Sequence, residues 1–92
     1  MNPLAKQVYG MLEGQENQIF RVLRGPYSQA ELAKILQTHQ DVVLKWERGH
    51  AAPQADHVRG LLKHAHTWTA EIGLRLVDLL DEYARRREET TP

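Results

Sequence analysis

Residues 28–49 read Ser28-Gln-Ala-Glu-Leu-Ala-Lys-Ile-Leu-Gln-Thr-His-Gln-Asp-Val-Val-Leu-Lys-Trp-Glu-Arg-Gly49. Ser28 with Glu31 three residues on is the pattern of a capping box. In it the serine hydroxyl accepts from the Glu31 amide, and the Glu31 carboxylate accepts from the Ser28 amide. The helix it opens, 28–36, carries Leu32, Ala33, Ile35 and Leu36. A break at Gln37 to His39 precedes a second helix, 39–48, with Val42, Val43 and Trp46, and Gly49 closes it. Glycine takes the left-handed conformation that ends many helices. Two short helices around such a break have the spacing of a helix-turn-helix, whose second helix enters the major groove of DNA. An ordinary helical hairpin in a bundle has the same spacing.

Helical periodicity continues on both sides. Pro3 suits a first helical turn, and Leu4, Val8, Met11 and Leu12 recur at helical spacing before Gly14. A second helix carries Ile19, Phe20, Val22 and Leu23 and is stopped by Gly25-Pro26. Beyond a loop from His50 to Pro53, a further helix carries Val58, Leu61 and Leu62 and ends near His66. Thr67 or Thr69 then caps a last helix that runs to about Glu88 and a polar tail. No run alternates as a strand does. The expected fold is all-α: a compact bundle of about five to six helices, with a helix-turn-helix domain over 1–66 and a long C-terminal helix over 67–92.

The run SQAELAKILQTHQDVVLKWERGHAAP resembles the lambda-repressor-like (Cro/CI, or Xre) family. That family reads Ser-Gln-x-x-Leu-Ala, a turn, a recognition helix, then Trp-Glu-x-Gly and a proline. Ser28-Gln29, Leu32-Ala33, Val43, Trp46-Glu47-Arg48-Gly49 and Pro53 fall in that register without a gap, within a match over about residues 15–66. The resemblance implies a sequence-specific DNA-binding transcriptional regulator. Leu32, Ala33, Leu36, Val43 and Trp46 are the apolar contacts that set the angle between the two helices, and Ala33 is small where they approach. Glu47 either pairs within the domain, as the resemblance implies, or is a solvated carboxylate. Two positions depart from the pattern. Gln37 stands where the family has glycine, and a non-glycine residue at positive φ costs ~1–2 kcal/mol. His39 replaces the capping Ser or Thr, leaving Thr38 as an alternative cap with Asp41 as its partner.

In this register Gln40, Asp41, Leu44 and Lys45 are the expected base contacts. Gln40 suits adenine, Lys45 guanine or phosphate, Asp41 cytosine unless it caps the helix, and Leu44 a thymine methyl unless it is a core rim residue. Gln29, His39, Arg48 and His50 are the expected phosphate contacts, which position the protein without specifying sequence. For Gln29 the resemblance adds a second role, supporting the recognition helix.

Composition bounds the alternatives. The chain has 92 residues, no cysteine, and 12 basic against 12 acidic side chains. Residues 1–66 hold 8 Lys/Arg against 6 Asp/Glu, and residues 67–92 hold 4 against 6. A local basic surface is therefore compatible with zero net charge, since phosphates respond to the local field. None of the five histidines has the spacing of a helical metal pair, and they read as polar surface. No metal, cofactor or catalytic motif is expected, and no enzymatic activity. The N-terminus MNPLAKQVYGML is not a signal peptide and no apolar run reaches membrane-spanning length, so a cytoplasmic protein is expected.

Read as one helix, residues 72–84 carry an apolar arc of about 220° at ~100° per residue, wider than one core requires. Such an arc suits two partners, the chain's own domain and a second subunit, or else a helix surrounded by its own chain. Leu74, Leu76, Val77, Leu80, Tyr83 and Ala84 are the expected dimer surface. These readings combine into a homodimeric repressor on a palindromic operator. The main alternative is an antitoxin whose C-terminal helix binds a toxin protein.

Overall fold

Six helices follow one another in a computed structural model that describes residues 3–14 and 18–90. They are α1 (Pro3–Met11), α2 (Ile19–Arg24), α3 (Gln29–Ile35), α4 (Gln40–Glu47), α5 (Ala55–Glu71) and α6 (Leu76–Thr90). No strand occurs among the described residues. The all-α bundle expected from helical periodicity is the fold observed. Residues 15–17, where the family resemblance starts, and the last two residues of the polar tail lie outside the described residues.

Each helix gives apolar residues to one core, adjacent in α2 and α3 and three or four positions apart in the others, spacings that keep them on one helix face. Val8 and Leu12 come from α1 and its end, Val22 and Leu23 from α2, and Leu32 and Ala33 from α3. Val43 and Trp46 come from α4, Leu61, Ala65 and Trp68 from α5, and Leu79 and Tyr83 from α6. Val58 and Leu62, expected in this core, are 36% and 41% exposed. The buried face of α5 runs instead through Leu61, His64, Ala65, Trp68 and Thr69.

The local signals around α3 and α4 are realised in detail. The Glu31 amide donates to Ser28 Oγ at 3.1 Å and the Ser28 amide to Glu31 Oε1 at 3.1 Å, closing the capping box. The Ser28 backbone amide, and secondarily its hydroxyl, hold the Glu31 carboxyl below its ordinary range. The contribution of that bond is present at neutral pH and is lost as pH falls through the lowered value. At the other end of α3, Thr38 N donates to Ala33 O at 2.8 Å and Gln37 N to Lys34 O at 3.2 Å. These two bonds are a Schellman motif, and Gln37 occupies its left-handed position at φ 56°. The α4 terminus repeats the motif with Gly49, at φ 74°. The glutamine thus takes a left-handed position that glycine usually fills, at the cost of its side chain's steric strain. His39, not Thr38, is the N-cap of α4, and no side chain caps it.

The helix start expected at Thr67 or Thr69 is absent. Thr67 Oγ1 donates to Lys63 O at 2.9 Å and Thr69 Oγ1 to Ala65 O at 2.7 Å, so both hydroxyls bond back along a continuing helix. The chain turns at Ile72-Gly73-Leu74-Arg75 instead. The boundary placed at 66/67 therefore falls inside α5. Ile72, Gly73 and Leu74 do not belong to α6, whose own apolar arc narrows to about 160°.

Trp68 fixes the exit of α2. Its indole N–H donates to Leu23 O at 2.9 Å in a fully buried setting. Its ring lies against Gly25, which has φ 66° and ψ −139°, backbone angles open essentially to glycine alone. A Cβ at Gly25 would sit 2.4 Å from the indole, whereas one at Gly49 would meet nothing within 4 Å.

These three left-handed positions should separate in thermal or urea unfolding. Gly25→Ala is expected to cost about 3 kcal/mol or more, adding overpacking to backbone strain. Gly49→Ala should cost about 1 kcal/mol, from strain alone. Gln37→Gly should stabilise by up to about 1 kcal/mol, relief of strain partly offset by glycine's freedom in the unfolded chain. Equal costs for the two alanine variants would remove the indole contact as the cause.

Candidate nucleic-acid interface

Helix α4 divides its residues between two faces. Val43 and Trp46 are buried, 1% and 3% exposed, and hold the helix against the core. Gln40, Asp41 and Lys45 are exposed, Leu44 is half-buried, and Arg48, one residue past the helix, is exposed. Positions 40, 41, 44, 45 and 48 share one side because helical neighbours recur every three or four residues. His39 at the N-terminal end and His50 beyond the C-terminal end are also exposed. Seven of the eight sequence-predicted contact residues thus line α4 and its two ends.

The eighth, Gln29, sits in the first turn of α3 and is half-buried. Its Nε2 donates to Glu47 Oε1 at 3.4 Å, so it reaches the C-terminal end of α4. Of the two readings left open for Glu47, the internal pair is the one observed. Arg24 Nη2 donates to Glu47 Oε1 at 3.3 Å, and Arg24 Nε lies 3.1 Å from Oε2. That last contact is off the line of a directed hydrogen bond, so it acts as charge attraction. Arg24 Nη1 also donates to Tyr27 O at 3.0 Å. The side chains of Arg24 and Glu47 are 16% and 5% exposed, so water screens the pair weakly. One carboxylate thereby joins α2, α3 and α4.

Nothing in the sequence identifies Arg24 as the partner of Glu47. Its partner Arg24 is 23 residues away, and only the path of α2 brings the two together. His64, read as surface, is 7% exposed. Its Nε2 lies 3.2 Å from Arg24 O, and its ring meets Tyr27 edge-on at 4.8 Å between centroids. Periodicity was a signal for it, since His64 lies three residues after Leu61 and four before Trp68. His57 stacks at a tilt on Trp46, with centroids 5.2 Å apart. Among the described residues no group of three or more His, Asp or Glu side chains is placed to hold a metal. No helix among them is long and apolar enough to cross a membrane.

Of the expected dimer surface, Tyr83 is 8% exposed and belongs to the protomer's own core. Leu74, Leu76 and Leu80 are half-buried against the same core, while Val77 and Ala84 are exposed. Tyr83 faces inward because it follows the fully buried Leu79 by one helical turn.

If Glu47 locks the end of α4, Glu47→Met should destabilise by about 3 kcal/mol, because it leaves the Arg24 guanidinium buried and uncompensated. Adding Arg24→Met should recover a substantial part of that loss, since the orphaned charge is then gone. Denaturant unfolding of the two single variants and the double variant completes the cycle. Purely additive losses would reduce the pair to a coincidence of position.

Neither a scan against protein-family models nor searches of curated proteins and of solved structures finds a match for this chain.

Proposed function

We propose that this protein is a sequence-specific, double-stranded DNA-binding transcriptional regulator of the lambda-repressor-like kind, acting in the cytoplasm as a repressor. The carrying observation is the division of α4. Its apolar side is buried and its C-terminal end is tied by Glu47 to α2 and α3, while Gln40, Asp41 and Lys45 stand exposed on the opposite side. A helix held rigidly on one side, with hydrogen-bonding side chains on the other, suits insertion into a major groove. Gln40 would pair with adenine, Lys45 with guanine or phosphate, and Asp41, unless it serves the helix start, with cytosine. Leu44 would reach a thymine methyl from the rim. Gln29, His39, Arg48 and His50 would set the register on phosphates.

Selection of bound duplexes from a random pool tests this reading. The wild-type chain should enrich a defined sequence, and Gln40→Ala and Lys45→Ala should each relax preference at distinct base pairs, at about 1–3 kcal/mol per pair. Affinity should fall steeply with salt as phosphate contacts release counterions. An unchanged preference in both variants would overturn the assignment of α4 as the reader.

The reading includes a homodimer on a palindromic site, with recognition helices about 34–36 Å apart. The outward side of α6, with Val77 and Ala84 exposed and Leu80 at its edge, is the surface proposed for it. Light scattering should give twice the 10.6 kDa chain mass, and Val77→Asp should shift it towards one chain. A single-chain mass with and without DNA would remove the dimer and predict an enriched half-site rather than a palindrome.

A further inference from the structure

Helix α2 carries a charged residue that the helix-turn-helix reading leaves unused. Arg24 is consumed by Glu47 and by Tyr27 O. Arg21, one turn earlier and so on a similar side of α2, is exposed and makes no ion pair among the described residues. It opens onto a surface cleft of about 840 Å³ between α2 and the end of α4. Arg48 and His50 line the same cleft from the α4 side, and Phe20 and Leu44 supply apolar wall.

The charge of the cleft departs from that of the chain. Its lining holds Arg21, Arg24 and Arg48 against Glu47 alone, a surplus of two positive charges in a protein of zero net charge. The one acid is neutralised by Arg24. What faces solvent is therefore the guanidinium of Arg21, the guanidinium of Arg48 and the imidazole of His50. Two cations beside apolar wall match the alternation of phosphate and sugar along a nucleic-acid strand, with arginine suited to bidentate phosphate bonding.

We infer that α2 is part of the DNA-binding surface, with Arg21 holding a backbone phosphate across the cleft from Arg48 and His50. The inference rests on the DNA-reading function proposed above and extends it to an element outside the helix-turn-helix. Arg21 in this role anchors without reading sequence. Its contact lies on the strand that flanks the bases met by α4, because the cleft borders the C-terminal end of that helix. Arg24, lining the same cleft, stays bound to Glu47 and holds α2 in place.

The test uses the full chain, the duplex enriched by selection, and a scrambled duplex of the same length. Affinities of wild type, Arg21→Ala and Arg21→Lys are measured by fluorescence anisotropy across a salt series. Arg21→Ala is expected to bind both duplexes about tenfold more weakly, and to lower the slope of log K against log salt by about one. It should enrich the same sequence as wild type and melt at the same temperature. Arg21→Lys should keep the wild-type slope. If wild type enriches a sequence and Arg21→Ala matches it in both affinity and slope, the α2 contact is overturned and the α4 reading stands. An altered sequence preference in Arg21→Ala would equally overturn a phosphate role. If wild type enriches no duplex, both proposals fall together.

Discussion

The indole of Trp68 is the constraint on which the meeting of α2, α3 and α4 depends. It donates its N–H to Leu23 O and lays its ring where a side chain at residue 25 would have to be. Leu23 O is therefore satisfied inside the core instead of by water, and the chain leaves α2 through a conformation that glycine alone adopts easily. That exit sets Arg24 facing α4. His64, one turn before Trp68 on α5, lies against the carbonyl of the same arginine and edge-on to Tyr27. Helix α5 thus positions α2 through polar contacts made from inside the core, where a lost bond costs more than at the surface.

From that placement follows the electrostatic design of the site. A buried carboxylate at the end of α4 would repel an approaching anion if left uncompensated. Arg24 cancels it at close range, and Gln29 takes up further hydrogen-bonding capacity of Oε1. The interaction contributes little net stability when both partners are buried, because desolvation offsets attraction. Its value is geometric: three helices meet at one carboxylate, and their relative placement is specified by directed contacts in addition to apolar packing. The apolar seam of Leu32, Ala33, Val43 and Trp46 alone would tolerate small shifts that a shared carboxylate does not.

How far the sequence could be read followed the range of the interactions. Local signals were legible. Ser28 with Glu31 forms the box it spells, Gly49 ends α4, and Gln37 takes the left-handed angle that its place in the family pattern implies. Signals with two local meanings were not. Thr67 and Thr69 are good caps in isolation, yet each also bonds back to a carbonyl four residues earlier, and the packing of Trp68 between them decides for a continuous helix. The same packing displaces Ile72 and Leu74 from α6, so the arc read across residues 72–84 was drawn through a turn. The parts that α2 plays had no sequence signature. Arg24 meets Glu47, and Arg21 meets the same cleft as Arg48, only because α2 folds across the end of α4.

Zero net charge, which weighs against nucleic-acid binding when taken over the whole chain, has a different meaning once the pairs are located. Arg85 and Arg86 are matched to Glu82 within α6, Arg85 also to Glu89, and Arg86 also to Glu13. The hydrogen bond from Arg85 holds the Glu82 carboxyl below its ordinary range, so this network stays charged and self-compensating at neutral pH. Arg59 pairs with Asp56 and Arg75 with Asp78, each within one helical turn. Over α5 and α6, therefore, much of the charge is spent locally and projects little field beyond a Debye length of ~8–10 Å. Arg21, Lys45 and Arg48 make no ion pair among the described residues and stand exposed on α2 and at α4. The zero balance of the whole chain is the sum of a surplus of two acids over residues 67–92 and a surplus of two bases over residues 1–66, among whose exposed cations are those on α2 and at α4. In the DNA-binding role proposed above, an approaching phosphate would respond to the field of that face more than to the balance of the whole chain.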